Sequence, residues 1–255
     1  MRVAPPPLAD LRARLERLER ASPGQRPFAV LPFGHPGVDA ALPGGGLPLG
    51  ALHEVTGTGE EAEWGAAAAL FVAGVLARLP GPVLWVLARH DLFAPGLAGA
   101  GLPPARLLHA EMGDERRVLP AMEEGLREPG LAGVVGEVTG AVPLTATRRL
   151  QLAAGRSGSM ALLLRRARGG PEAAAAPSAA LTRWRIAALP GAPPVPDAPE
   201  VEGLGRARWR LELWRVRGGA GGTWVVEACD AQGRLGVVPD IADRPAAPPP
   251  RRATG

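Results

Sequence analysis

Between residues 51 and 164 the sequence alternates short apolar runs with helical segments, and this alternation restricts the fold more than any other feature. The predicted strands are 51–56, 83–88, 131–138 and 159–164. The predicted helices are 60–79, 114–128 and 144–154. Apolar strands that alternate with helices are typical of βαβ units, whose strands run parallel and are buried on both faces. The sequence therefore predicts an α/β core with a mainly parallel central sheet.

The C-terminal third has a different pattern. A predicted strand at 182–189 is followed by a Pro-rich connection and then by two strand-like runs, 208–217 and 223–228. These two runs flank the glycine-rich turn at 218–222. Strand-like runs on either side of a short Gly-rich turn are typical of a β-hairpin. We therefore expect antiparallel strands at this end of the sheet.

These patterns divide the 255 residues into five segments. They are an N-terminal helical arm at 1–27, a core at 28–189, a Pro-rich connection at 190–207, a hairpin at 208–230 and a tail at 231–255. The tail is rich in Pro and Arg, and we expect disorder after about residue 243.

The N-terminal arm carries leucines at the spacing of one face of a helix, namely Leu8, Leu11, Leu15 and Leu18. This spacing predicts an amphipathic helix. A helix of about 13 residues is marginal in isolation. The arm therefore packs either on its own domain or on a neighbouring molecule, and the sequence favours neither.

The charge pattern excludes several classes of protein. All 29 basic residues are Arg, because the chain contains no Lys, and the net charge of +4 is too small to indicate nucleic-acid binding by itself. The single cysteine, Cys229, excludes an internal disulfide, and the four histidines lack the spacing of metal ligands. No secretory signal and no apolar run long enough for a bilayer is visible. We expect a cytoplasmic protein without membrane contact, metal or cofactor.

A strand, a glycine-bearing turn and a helix follow one another within residues 54–65, which is the order found in a phosphate-binding loop. Such a loop needs a Lys for the β- and γ-phosphates and a Ser or Thr hydroxyl for Mg²⁺. The chain has no Lys, and Glu60, Glu61 and Glu63 bring negative charge to the place where a triphosphate would bind. This position therefore predicts a degenerate nucleotide site.

The surrounding residues carry a family resemblance. The stretches 34–42 (GHPGVDAAL) and 46–50 (GLPLG), followed by the strand and turn, resemble the opening of the RecA ATPase core. More closely, four stretches in combination are similar to the ImuA family, namely 31–57, 84–107, 134–138 and 144–153. The resemblance extends over residues 28–228. It implies a RecA-like core of the P-loop type and places the chain among RecA-related, SOS-induced bacterial mutagenesis proteins, which are sometimes grouped with the division inhibitor SulA.

The resemblance to RecA also implies that the phosphate-binding part of the site is altered. With Gly57 at the first glycine of the P-loop, Ala62 stands at the second glycine, Glu63 at the lysine and Trp64 at the hydroxyl residue. None of these three replacements supplies the group that the loop requires.

Two further positions differ from RecA. Arg89 stands where the resemblance places the catalytic glutamate, and the strand expected to end in a metal-binding Asp reads Val135-Gly136-Glu137. Glu137 alone would be a lone metal ligand, and a surface or capped carboxylate is the commoner role for such a residue. The resemblance therefore implies a pseudo-ATPase that binds no cofactor.

RecA proteins grip DNA through two loops of the core. The first corresponds to residues 139–143, and the second begins at Arg165, Arg166 and Arg168. These arginines are candidate contacts to DNA phosphates. The alternative is that a chain whose only strong base is Arg leaves Arg at every solvated strand end.

The hairpin supplies candidate partner-binding residues. Alternation places Trp209, Leu211 and Leu213 on the core face and Trp214 on the other face, near Trp224 and several arginines. Trp and Arg are enriched at protein interfaces. Trp214, Trp224 and the four leucines of the arm are therefore candidates for partner binding, and a tryptophan packed under a covering loop is the alternative.

The resemblance to ImuA implies a non-catalytic adaptor in DNA-damage-induced (SOS) mutagenesis and translesion synthesis. Such an adaptor would bridge an ImuB-type inactive homologue of Y-family polymerases and an error-prone C-family DNA polymerase, with RecA as a further candidate partner. Two alternatives belong to other classes, namely a RecA-type DNA-dependent ATPase and a SulA-like inhibitor of cell division. The missing lysine argues against the first, and the extent of the core argues against the second.

Overall fold

The computed structural model describes residues 29–58, 61–89, 91–166, 176–191, 193, 203 and 205–238, and of residues 61–64 it describes the backbone. The N-terminal arm with its four leucines, Arg168 and the end of the tail lie outside the described residues. Within the described part of the chain, no helix has both the length and the apolar composition that a membrane span requires.

Nine strands form one sheet. Its six parallel strands are β3 (Leu52–Gly57), β4 (Val83–Leu87), β5 (Leu107–Glu111), β6 (Gly133–Val138), β7 (Met160–Arg165) and β8 (Thr182–Leu189). Three antiparallel strands extend it, namely β9 (Arg208–Val216), β10 (Gly222–Glu227) and β11 (Gly236–Val237). The spatial order is β11-β10-β9-β8-β3-β7-β6-β4-β5. A separate two-stranded sheet pairs β1 (Val30–Leu31) with β2 (Leu47–Pro48).

In the described part of the chain, five α-helices connect or flank these strands. They are α1 (Pro36–Ala41), α2 (Glu61–Ala77), α3 (Ala94–Leu97), α4 (Val118–Gly125) and α5 (Leu144–Ser157). Short 3-10 turns occupy Pro43–Gly45, Ala98–Ala100, Pro104–Arg106 and Glu115–Arg117. Helix α5 ends at Gly158, whose φ of 79° lies in the left-handed region that a glycine adopts without steric cost.

The turn before α1 explains part of the glycine-rich motif at 34–42. Gly34 has a φ of 77°, and His35 is the N-cap of α1. The Asp39 carboxylate reaches back and accepts hydrogen bonds from the Phe33 and Gly34 backbone N–H groups, at 2.6 Å and 2.9 Å. The motif therefore builds a closed turn that positions α1 against β10.

The sheet separates two hydrophobic cores. On one face, α2 packs over β3, β7 and β8. Residues 67–76 of this helix are nearly all buried because α3 and the segment 229–233 after β10 pack on it as well. Phe33, Phe71 and Trp184 form an aromatic cluster here, with ring centroids 5.4–5.8 Å apart. On the other face, α4 and α5 cover the second core, which includes Val134 and Leu163.

A buried chain of hydrogen bonds crosses the first core at His53. The Trp184 indole N–H donates to Thr182 Oγ1 at 2.8 Å, and that hydroxyl lies 2.8 Å from His53 Nδ1. His53 Nε2 lies 2.8 Å from the Pro48 carbonyl, which can only accept, so Nε2 carries the proton and Nδ1 accepts from Thr182. Burial lowers the pKa of His53 to about 4, although the bond to Pro48 opposes this shift. The chain therefore holds a neutral imidazole.

The predicted α/β class, the mainly parallel sheet and the antiparallel C-terminal strands are confirmed. That the core is RecA-like, with a degenerate nucleotide site, stays a prediction. Four strands were not predicted, namely β5 and the two-residue strands β1, β2 and β11. β5 is an edge strand, so its sequence contains the polar residues His109 and Glu111 and lacks a continuous apolar run. β11 is only two residues long, which is too short to give a sequence pattern. The predicted helix at 114–128 is shorter than expected, since it begins as a 3-10 turn and its α-helical part is α4.

Candidate functional site

A polar cavity of about 360 Å³ lies at the carboxyl ends of the parallel strands. β4 continues outward to β5, whereas its neighbour β6 continues inward to β7, so the chain connections diverge between β4 and β6. Crevices at such a switch point are where open parallel sheets bind ligands. The charged residues that line the cavity are Arg89, Asp91, Asp114, Glu115, Glu137 and Arg166.

Glu137 lies at the base of the cavity and is 5% exposed. The Trp85 indole N–H donates to its Oε1 at 2.5 Å, and Arg166 Nη2 lies 2.6 Å from its Oε2. Burial raises the pKa of Glu137, and the charge of Arg166 opposes this effect without cancelling it. Both carboxylate oxygens therefore have an internal partner.

Arg166 joins the base of the cavity to its rim. Its Nη1 lies 2.6 Å from Asp91 Oδ2, and its Nη2 lies 3.0 Å from Asp91 Oδ1 as well as contacting Glu137. Burial lowers the pKa of Arg166, but the hydrogen bonds and charges of the two carboxylates outweigh burial and raise it. One guanidinium group thus neutralises two carboxylates from different segments of the chain.

Glu115 fixes the segment that follows β6. It accepts hydrogen bonds from the backbone N–H groups of Thr139 and Gly140, both at 2.7 Å, and from the Thr139 hydroxyl. Burial raises the pKa of Glu115, but these hydrogen bonds and the charge of Arg165 outweigh burial and lower it. The first candidate DNA loop, 139–143, is therefore held by a carboxylate at its start.

These contacts limit what the cavity can bind. Four carboxylates and two guanidinium groups line it, so its net charge opposes a triphosphate. Three of the four carboxylates, those of Asp91, Glu115 and Glu137, are held by bonds to other segments, and Asp114 caps the backbone N–H of Arg116 at 3.0 Å. Across the described residues, no group of three or more His, Cys, Asp or Glu side chains is arranged to hold a metal ion.

The positions that the sequence predicts as a degenerate P-loop lie elsewhere at the same edge of the sheet. Gly57 is the last residue of β3, and Ala62, Glu63 and Trp64 belong to the first turn of α2. The Thr58 backbone N–H donates to the Ile186 carbonyl at 3.0 Å, which extends the pairing of β3 with β8 beyond the strand. β7 separates β3 from β6, and the residues named above that line the cavity come from other segments. Gly136 precedes Glu137 in β6, where a Cβ would lie 2.6 Å from Met122 Sδ.

The candidate DNA contacts Arg165 and Arg166 are both engaged within the molecule. Arg165 is 7% exposed, and its Nη2 donates to the Gly140 carbonyl at 3.1 Å. Arg166 is paired as described above, and its side chain is 27% exposed. Contact between these residues and DNA stays a prediction, and it would require the Arg166 ion pairs to be exchanged for phosphate.

Trp214 and Trp224 lie on opposite faces of the sheet. Trp224 pairs with Leu211 on the core face, and a Cβ added to Gly37 in α1 would lie 2.9 Å from its Nε1. Trp214 forms a β-bulge in β9. Arg183 of β8 pairs with Arg215 and Trp184 pairs with Leu213, so Trp214 lies between two paired residues. Both tryptophans are half-buried. Their role in partner binding stays a prediction.

Trp214 belongs to a cluster that the sequence did not indicate. The guanidinium carbons of Arg183 and Arg185 lie 4.3 Å and 4.8 Å from the centre of its ring. Arg183 Nε also lies 2.8 Å from Glu54 Oε2, and both side chains of this pair are 3% exposed. A charged residue inside a predicted central strand, as Glu54 is in β3, was the signal that could have predicted a buried partner.

Comparison with known proteins identifies relatives of this chain. No protein-family model matches the chain. Two curated relatives are each named Protein ImuA and come from Caulobacter vibrioides, one from strain NA1000 / CB15N and one from strain ATCC 19089 / CIP 103742 / CB 15. Each is 47% identical over 214 residues, which cover 80% of this chain and 86% of the relative. The chain belongs to the ImuA family.

Proposed function

We propose that this protein is a non-catalytic adaptor in DNA-damage-induced mutagenesis. Membership of the ImuA family supports a role in the ImuA/ImuB mutagenesis system. Within that system the adaptor would bridge an ImuB-type polymerase homologue and an error-prone C-family polymerase, with RecA as a further partner. Candidate partner-binding residues are those of the N-terminal arm together with Trp214 and Trp224.

The observation that carries the non-catalytic part of the proposal is the state of Glu137. A carboxylate that binds the metal of an ATPase must offer oxygen lone pairs to that metal. Here Trp85 binds one oxygen of Glu137 and Arg166 binds the other, so both oxygens already have partners inside the protein. The chain also contains no Lys for the phosphates. Both facts argue against a RecA-type ATPase.

Calorimetry with ATP and Mg²⁺ tests this part of the proposal. We expect no binding heat, with an active RecA in the same buffer as the positive control. Micromolar affinity for ATP would contradict the proposal and favour the ATPase alternative.

Co-purification tests the adaptor role. The chain, co-expressed with an ImuB-type homologue, should retain that partner on an affinity column. Trp214→Ala should weaken retention by about 10-fold or more, because truncation of an interface tryptophan typically costs ~2 kcal/mol. Val225→Ala, which alters an exposed residue of the same hairpin, is the matched control. Retention of a tubulin-like division protein in place of the polymerase homologue would favour the SulA-like alternative.

A further inference from the structure

A groove of about 320 Å³ lies between α4 and α5, on the face of the sheet that carries the second core. Buried Leu126 and Ala153 form its apolar floor. Leu152 on α5 also lines the groove, and it is 61% exposed. An aliphatic side chain of this exposure on a helix offers a hydrophobic surface to a partner.

The rim of this α4/α5 groove is basic. Arg127, Arg149 and Arg156 line it, and Glu123 is its single lining carboxylate. Glu123 lies 2.6 Å from both Arg127 and Arg149, and its side chain is only 12% exposed, so its charge is already neutralised. The side chains of Arg127 and Arg149 nevertheless remain 56% and 67% exposed. Arg127 also pairs with Glu124 at 2.7 Å, whereas the remaining N–H groups of Arg149 and of the exposed Arg156 point to an additional anionic partner.

We propose that the α4/α5 groove docks an acidic segment of another protein. The segment would place one apolar side chain against Leu152 and its carboxylates against Arg149 and Arg156. Charge complementarity selects this occupant, since Arg149 and Arg156 remain exposed while the carboxylates of Glu123 and Glu124 are already paired with arginines. Nucleic acid would satisfy the arginines but would leave Leu152 without a partner.

Two segments of the chain itself are poorer occupants. The Pro-rich connection carries Asp197, Glu200 and Glu202, but it is attached to the carboxyl end of β8, whereas Leu126 and Arg156 of the groove precede the amino ends of β6 and β7. The undescribed N-terminal segment carries Arg12, Arg14, Arg17 and Arg20 against Asp10, Glu16 and Glu19, so it is itself basic. The equivalent groove of a second copy would present like charge and is excluded for that reason. The docking site goes beyond the proposed adaptor function, because it concerns any protein that carries such a segment.

Selection from a random peptide library tests the proposal without a known partner. The library is displayed on phage and selected against the full chain, with counter-selection against Leu152→Ser. We expect the enriched peptides to be acidic and to share one large apolar residue. Labelled copies of these peptides are then titrated with the protein by fluorescence anisotropy.

Paired variants locate the binding site. Arg149→Glu and Leu152→Ser should each weaken peptide binding by about 10-fold or more. Arg148→Glu makes the same charge change on the neighbouring residue of α5, which does not line the groove, and Val225→Ser removes an exposed apolar side chain elsewhere. Both controls should change the affinity by less than about 2-fold. Circular dichroism and melting curves verify that all four variants fold.

Three outcomes would overturn the proposal. The first is that no acidic peptide is enriched over the counter-selection. The second is that Arg148→Glu weakens binding as much as Arg149→Glu, which would show general electrostatic attraction. The third is that single-stranded oligodeoxythymidine competes with the peptides and shows the same dependence on Arg149 and Leu152, which would identify a nucleic-acid surface. None of these measurements involves an ImuB-type partner, so failure here and failure of the adaptor proposal are separate results.

Discussion

The cavity at the carboxyl ends of the strands and the α4/α5 groove have similar volumes, about 360 Å³ and 320 Å³, but their charged groups are in opposite states. In the cavity, Glu137 and Arg166 are largely buried and bonded to each other. In the groove, Arg149 is mostly exposed and shares its only carboxylate with Arg127. A polar cavity at the expected position is therefore not evidence of a ligand site when its groups already satisfy one another. The groove, whose arginines Arg127 and Arg149 remain exposed, retains binding capacity.

The largest expected effect is the loss of unfolding free energy when an arginine is removed, and it should differ between the cavity and the groove. Arg166→Ala should lower the free energy of unfolding at pH 7 by about 3 kcal/mol, because it leaves the buried Glu137 carboxylate without its counter-ion. The matched variant Arg149→Ala should cost under about 1 kcal/mol, since Arg149 is itself exposed to solvent and Glu123 keeps Arg127 as its partner. Urea unfolding measures both. Equal losses would contradict the contrast between the regions.

Protonation of His53 in acid should destabilise the protein. The loss of unfolding free energy should be equal to that of Arg166→Ala or slightly smaller. The pKa of His53 is about 4 in the folded protein and ~6.5 in an unfolded chain, so the unfolded state binds more protons between these values. Stability is fully present above about pH 6.5 and should fall by about 3 kcal/mol as the pH decreases to about 4.

His53→Gln is the control for this pH dependence. It should be less stable than the parent at pH 7 but should show a flatter profile between pH 6.5 and 4, because no imidazole is left to titrate. Urea unfolding at closely spaced pH values measures the two profiles. A parent profile as flat as that of the variant would show that His53 is not held in the neutral form.

A smaller effect is expected at Glu115. Glu115→Ala removes the acceptor for the backbone N–H groups of Thr139 and Gly140 and should cost about 1 kcal/mol, since water replaces part of these bonds. Hydrogen exchange should become faster at these two amides, whereas Asp114→Ala, which removes only the cap on Arg116, should leave them unchanged. Unchanged exchange in Glu115→Ala would show that the loop is held by other contacts.

The smallest expected effect concerns the P-loop position. Glu63→Lys should not create ATP turnover, because the hydroxyl residue would still be missing and Glu137 would still be bonded to Trp85 and Arg166. A coupled phosphate-release assay measures this. Turnover in the single variant would show that the cavity is less closed than its contacts indicate, and the contrast with the groove would then fail.

Much of the fold could be predicted from local sequence patterns. The strand at 182–189 was predicted with the bounds of β8, and the other parallel strands except β5 were predicted to within two residues. Apolar runs and Gly- or Pro-rich turns sufficed for this because both are local signals. The edge strand β5 was missed, since half-exposure removes the continuous apolar run that marks a central strand.

Only part of the candidate site could be predicted from the sequence. Arg89, Glu137 and Arg166 were singled out in the sequence, and the structure brings all three to one cavity. Their partners were not predicted, because Trp85 and Glu137 are 52 residues apart and Arg166 and Asp91 are 75 residues apart. Such pairs depend on which strands are neighbours and in what register they pair.

The sequence by itself determined the α/β class, through its alternation of strands and helices, and the absence of a phosphate-binding lysine, through its composition. Only the tertiary structure decided that the Glu137 carboxylate is bonded internally and that α4 and α5 enclose a basic groove. The physical reason is that periodicity and composition are properties of short segments. The protonation and pairing of a charged side chain depend instead on the residues that the fold places within a few ångströms of it.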